Sequence, residues 1–146
     1  MIKLARGSLG VPFVQYGRDL KKGIDCVGLL TVPAQANGAD LPILDGLSRV
    51  PQIRNAHQIG EVVAKEMQRI NSSEARAGDV LLFDIWSPLR GLIEHCALIT
   101  EDWPLVIIHA TPGPVPGVIS HRLDARMVES LPTTWEHFVA GVYRFK

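Results

Sequence analysis

Cysteine is scarce in this chain: Cys26 and Cys96 are the only two among 146 residues, and they form no CxxC pair. A disulfide framework of the kind that staples small secreted domains is thereby excluded, and each thiol has to be read alone. An excess of one charge is also lacking, since 15 Lys and Arg stand against 15 Asp and Glu, for a formal net charge of zero. Domains that neutralise phosphate backbones are usually basic, so nucleic acid is not an expected partner. No apolar run approaches the ~18 residues that a membrane-spanning helix needs, and none is expected to insert. The N-terminus MIKLARGSLG lacks the basic, then apolar, then small layout of a secretory signal. The expectation is therefore synthesis in the cytoplasm, with any exit by another route. Repeats, low-complexity tracts and charge runs are missing too, and the ten prolines are scattered as punctuation.

What is present is a globular composition, 47% apolar and 21% charged. The length suits one domain over 1–146 that buries roughly 68–70% of its unfolded surface. Ile2 to Leu9 reads as a short helix with Ile2, Leu4, Ala5 and Leu9 inward, stopped by Gly10 and Pro12. A polar, glycine-marked loop over Gly17 to Gly23 precedes the apolar run CVGLLTV, which Asp25 can cap and Pro33 should end or kink. Residues 37–54 read as an irregular connection. Asn55 to Ile70 reads as an amphipathic helix through Ile59, Val62, Val63, Met67 and Ile70. From Gly78 onward the segments DVLLFDIW, IEHCALIT, PLVIIHA, GVISHRL and FVAGVYRF are short, β-branched or aromatic, and parted by turn formers. Helices followed by strands predict an α+β class, with N-terminal helices packed on a C-terminal antiparallel β-sheet.

The candidate chemistry starts at Cys26 in GIDCVGLL, at the head of a helix. Helix-end N–H groups and the helix dipole favour thiolate there, and Gly28 leaves room for close packing on the first turn. A cysteine ahead of an apolar run is ordinarily a small core residue; the flanking Asp25 and Gly28 and the histidines downstream argue for the reactive reading. Activation needs a histidine within reach and a third group to orient it. His95 and His109 are the two histidines within strong strand patterns, and a hairpin turning around Asp102 to Pro104 would set them on neighbouring strands. Strand period two places His95 with Ala97 and Ile99 on one face and Cys96 with Leu98 on the other. If His95 points toward Cys26, then Cys96 should point away, as a buried apolar thiol. Zinc is disfavoured, because His95, His109 and His121 are spaced by 14 and 12 with no i, i+4 pair. His57 and His137 read as ordinary surface or helix-end residues.

The stretch GVPFVQYGRDLKKGIDCVGLL, followed in order by RAGDVLLF, EHCALIT and VIIHAT, resembles the NlpC-type cell-wall cysteine peptidases, a papain-like family. The resemblance implies a papain-like NlpC-type fold, with Cys26 as nucleophile, His95 as general base and later acid, and His109 as the residue that orients His95. It implies hydrolysis of an amide in peptidoglycan stem peptides, typically the D-γ-glutamyl-diamino acid bond, with no metal or organic cofactor. Two positions depart from the family: Val27 stands where Ser usually follows the nucleophile, and Phe13 stands where a loop tyrosine is usual, leaving Tyr16 as the nearest hydroxyl. Losing one oxyanion donor costs other enzymes about 2.7–4 kcal/mol. With AGVYRF near the end of the chain, these departures resemble the version found in tailed phages and gene transfer agents. The implied partners are then tail-tip or baseplate proteins, and the implied place of action is the periplasmic cell wall. The alternatives are a catalytically weak or inactive structural tail-tip protein and a related amidase or acyltransferase with a non-wall substrate.

Overall fold

The computed structural model describes residues 1–39, 51–85 and 93–146, and for 51–55 the backbone alone. In chain order the elements are α1 (Ile2–Gly7), β1 (Arg18–Asp19), β2 (Gly23–Ile24), α2 (Cys26–Ala36), α3 (Pro51–Glu66), β3 (Met67–Ile70), β4 (Val80–Phe83), β5 (His95–Glu101), β6 (Val106–Thr111), β7 (Gly117–Arg122) and β8 (Val139–Phe145). Six strands form one antiparallel sheet in the order β3-β8-β4-β5-β6-β7, and β1 pairs with β2 in a small separate hairpin. The class is α+β, as the order of helical and strand patterns predicts. No helix among the described residues is long and apolar enough to cross a membrane.

Both faces of the sheet are covered, and the strand alternation sorts side chains between them. On one face Leu82, Cys96, Leu98 and Ile108 pack with Cys26, Leu29 and Leu30 of α2 and Ile59 and Val62 of α3. On the other, Leu81, Phe83, Ala97 and Ile99 pack with Leu123 and Trp135 from the segment between β7 and β8. Burial from both sides explains why β4 reads VLLF without polar alternation: all four residues are buried.

Four local expectations need correction. In α1 only Ala5 is buried, while Leu4 and Leu9 are exposed, so the helix docks through a narrower stripe than its apolar residues suggest. Pro33 lies inside α2, which continues to Ala36; burial of Leu29, Leu30, Pro33 and Ala34 holds the turn despite the missing amide donor. The second amphipathic helix begins earlier, at Pro51, where proline's fixed φ suits a first helical position and no N–H is lost. It also ends earlier: Met67 to Ile70 form an edge strand, with Met67 opposite Phe145 and Ile70 opposite Val142. The spacing of Met67 and Ile70 fits a helix face, but pairing with β8 overrides it. Residues 40–50 of the expected irregular connection, and Trp86 of DVLLFDIW, lie outside the described residues.

The C-terminal strand is tied to β4 by more than its ladder. Arg144 donates through Nε and Nη2 to the two carboxylate oxygens of Asp79, at 2.7 and 2.9 Å, and Asp79 also accepts from the Arg76 amide at 2.9 Å. Asp79 is buried while Arg144 keeps partial exposure, so this bidentate pair is worth less than a fully buried one but more than a surface pair. Asp79→Ala should lower stability by about 2–4 kcal/mol. The check is the urea midpoint, which should fall while the rate of alkylation at Cys26 in the folded protein stays unchanged.

Candidate active site

Asp25 builds the turn that presents Cys26. Its carboxylate accepts from Gly28 N at 2.8 Å, which caps the first turn of α2, and from Tyr16 N at 2.9 Å, which draws in the preceding loop. Arg18 Nη1 closes the arrangement at 2.7 Å and also donates to Gly17 O at 2.8 Å. The loop must come very close for this. A β-carbon on Gly28 would collide with the Gly17 carbonyl and meet Ile24 Cγ1 at 2.8 Å, so the close packing expected at Gly28 is the seat of this loop. Tyr16 holds a left-handed φ of 63°, and its backbone N–H is the one pinned by Asp25. Burial pushes the Asp25 carboxyl above its ordinary range, with the neighbouring Cys26 charge adding to it, against Arg18 and the Gly28 and Tyr16 amides.

Three imidazoles line the opposite face of the sheet. His95 Nε2 lies 2.8 Å from His109 Nδ1, His109 Nε2 lies 2.8 Å from His121 Nε2, and His121 Nδ1 lies 2.7 Å from the Arg122 carbonyl oxygen. Strand register explains the second link: Ile107 is opposite His121 and His109 opposite Ile119, so the two rings are diagonal neighbours. Trp135 packs against all three rings, with centroids at 6.0, 4.6 and 5.4 Å from His95, His109 and His121. The rings run as a chain that occupies five of their six nitrogens. The sixth, His95 Nδ1, is the one left to serve Cys26, whose thiol the neighbouring His95 helps to hold below its ordinary range.

Cys26 and His95 therefore meet at the opening end of β5, where the thiol also lies 3.7 Å from the Glu94 carbonyl oxygen. Both thiols are free. The expectation for Cys96 holds for its burial in the core but not for its direction: instead of pointing away from Cys26, its sulfur lies 3.2 Å from the Cys26 carbonyl oxygen and shares a core cluster with it. The alternation itself holds; what it leaves out is that α2 crosses the end of β5. Cys96 thus reaches the thiol from the helix-covered face while His95 reaches it from the strand end. A hydrogen bond from Cys96 is the largest influence holding Cys26 well below the ordinary thiol range, and the charge and hydrogen bond of His95 add to it, against burial. Cys96 is pushed well above that range by the same contact and by burial, so Cys26 is the thiol that ionises. Burial, with the charges of His95 and His121, holds His109 well below the ordinary imidazole range; burial, opposed by the Arg122 carbonyl, lowers His121 as well.

The residues singled out from the sequence, Cys26, His95 and His109, are brought together. His121 and Trp135 were not picked out for this cluster. His121 carried a readable signal, standing in the strand pattern GVISHRL beside that of His109, whereas Trp135 reaches the rings from a segment without periodicity. Val27 is buried in the core cluster, so its side chain packs inward; Phe13 is half-buried against the same cluster and bridges to Ile24. Little surface remains at the reactive pair, 4% for Cys26 and 7% for His95.

No family model and no curated protein matches the chain. Solved structures do. A protein from Staphylococcus aureus subsp. aureus Mu50, described as similar to lipoprotein and of the NLP/P60 family, superposes with a TM-score of 0.66 at 23% identity, over 98% of this chain and 39% of its own length. The NlpC/p60 domain of the peptidoglycan hydrolase SagA superposes with a TM-score of 0.53 at 27% identity, over 84% of this chain and 86% of that one. The chain has the α+β fold of NlpC/P60 proteins.

Two expectations follow from the electrostatics. Cys96→Ala removes a hydrogen bond that favours the charged sulfur, worth about 1.5–3 kcal/mol. The pH midpoint of iodoacetamide modification at Cys26 should then move up by about one to two units. Separately, because His109 is neutral when folded but titrates near about 6.5 when unfolded, acidification protonates the unfolded chain first. Its contribution to stability is full above that value and is lost as pH falls through and below it, by at most about 1.4 kcal/mol per pH unit. Urea unfolding between about pH 6.5 and 5 should show this slope, and His109→Asn should flatten it.

Proposed function

We propose that this chain is a cysteine peptidase domain that hydrolyses an amide bond in peptidoglycan stem peptides, of the D-γ-glutamyl-diamino acid type. The observation that carries the reading is the Cys26 thiol at the head of α2, held below its ordinary range beside His95, whose Nε2 is occupied by His109. SagA, a peptidoglycan hydrolase whose NlpC/p60 domain shares the fold, supports the wall as substrate. In the proposed reaction Cys26 passes its proton to His95 and the thiolate attacks the amide carbon, forming a C–S bond and a tetrahedral oxyanion. The Cys26 N–H, in a helical first turn whose amides lack intrahelical acceptors, is placed to receive that oxygen. Collapse breaks the C–N bond as His95 returns the proton to the leaving amine, which leaves a thioester. Water, deprotonated by His95, then releases the acid and restores the thiol.

The setting we propose is a phage-tail or gene-transfer-agent component that opens the wall locally during DNA delivery, with tail-tip or baseplate proteins as partners. Val27 after the nucleophile and the strand AGVYRF, similar to the tail-associated version of the family, support that setting. The near-closure of Cys26 and His95 favours one alternative, a structural tail-tip protein that keeps the fold with little or no activity. Purified sacculi decide between them. The wild-type protein should release soluble muropeptide fragments and Cys26→Ala should release none, with both folded by circular dichroism. Equal digestion by the alanine variant would end the peptidase reading, and no digestion by either, with normal infection by particles carrying Cys26→Ala, would establish the structural one.

A further inference from the structure

The chain of imidazoles ends on a group that cannot reverse its role. The Arg122 carbonyl oxygen, 2.7 Å from His121 Nδ1, can only accept a hydrogen bond, so that nitrogen carries the proton. A neutral imidazole has one N–H, so His121 Nε2 presents a lone pair. The nitrogen facing it at 2.8 Å, His109 Nε2, must then be protonated, which leaves His109 Nδ1 as an acceptor. His95 Nε2, 2.8 Å away, must donate to it. The remaining nitrogen, His95 Nδ1, thereby keeps its lone pair, the one left on that ring for Cys26.

His109 alone could not produce this result. Without a partner at Nε2 it could as well carry its proton on Nδ1 and donate to His95 Nε2, which would put the His95 proton on the nitrogen facing Cys26 and remove the base. We infer that His121 is a positioning residue: by accepting from His109 and donating to the Arg122 carbonyl, it selects the one tautomer of His95 that can take the Cys26 proton. The inference rests on the proposed thiol chemistry and extends it to a fourth side chain. It requires His121 and His109 to be neutral, and burial lowers both. Around His121 the charged neighbours are Arg122 and Asp124, which pair with each other at 2.7 and 2.9 Å, and the facing rings are His109 and Trp135.

The test reads tautomers directly. In 15N-labelled wild-type protein at neutral pH, long-range 1H–15N spectra should show protonated Nε2 on both His95 and His109, and protonated Nδ1 on His121. His121→Phe keeps a ring against Trp135 but removes the acceptor. It should give mixed tautomers at His109 and slow iodoacetamide modification of Cys26 about tenfold or more. His121→Gln, with an amide oxygen to accept and an NH2 to donate, should recover most of that rate. A wild-type spectrum with the His109 proton on Nδ1 would overturn the inference whether or not the Phe variant folds. A folded Phe variant with unchanged tautomers and rate would overturn it as well, leaving Cys26 chemistry intact. An unreactive Cys26 in wild-type protein whose spectra still show the chain would instead sink the thiol chemistry itself, and the role of His121 with it.

Discussion

Asp25 has no exposed surface, and its carboxylate serves the loop and the helix around the thiol. A buried carboxylate is costly unless it is paired and hydrogen-bonded, and here Arg18, Gly28 N and Tyr16 N supply that compensation. In exchange the loop over residues 14–18 and the first turn of α2 become one body. Gly28 seats the loop, Tyr16 accepts a left-handed backbone, and Cys26 has one position relative to β5. If the carboxylate let go, the loop and the helix could still exist separately, but the sulfur would have no fixed relation to the histidines. The arrangement carries an electrostatic tension as well, since the Cys26 charge opposes that of Asp25.

Two faces of one sheet divide the remaining work. The helix-covered face supplies Cys96, whose thiol lies 3.2 Å from the Cys26 carbonyl oxygen and whose hydrogen bonding favours the ionised Cys26 sulfur. With Cys26 protonated, the carbonyl accepts the Cys96 hydrogen bond; with Cys26 ionised, the sulfur is the stronger acceptor. A rotatable donor of this kind responds to the charge instead of opposing either state. The other face supplies a fixed chain of rings clamped by Trp135, where rotation would break the sequence of donors and acceptors. One side adapts and the other holds.

Much of this was legible in the sequence because it is periodic. Strand alternation separated His95 from Cys96, and the strands β4 to β8 follow from β-branched runs bounded by turn formers. The cap at Asp25 and the close approach at Gly28 follow from residue type and spacing. What escaped is what depends on elements crossing. That Cys96 meets Cys26 follows from α2 lying over the end of β5, which no local pattern encodes. Met67 to Ile70 became a strand because β8 was available to pair, and Pro33 stayed in a helix because burial outweighed one missing hydrogen bond. Trp135 joins the rings from an irregular segment. His121 was visible as a strand residue, but its use depends on the register of β6 against β7.

The near-closure of the site bears on how charge can exist there. At low exposure an isolated ion is expensive, and every pairwise interaction is strengthened. Passing a proton from Cys26 to His95 creates two charges at once but imports none, so the pair can form where a lone thiolate could not. That economy works only if no second positive charge sits beside His95, because like charges oppose each other's formation. Burial of His109 and His121 enforces this by holding both neutral, so that they act through lone pairs and N–H groups alone. The closed packing that restricts access is thus the same feature that confines the positive charge to the ring touching the sulfur, and an opening of the site that let water reach His109 would loosen the chemistry as well as the fold.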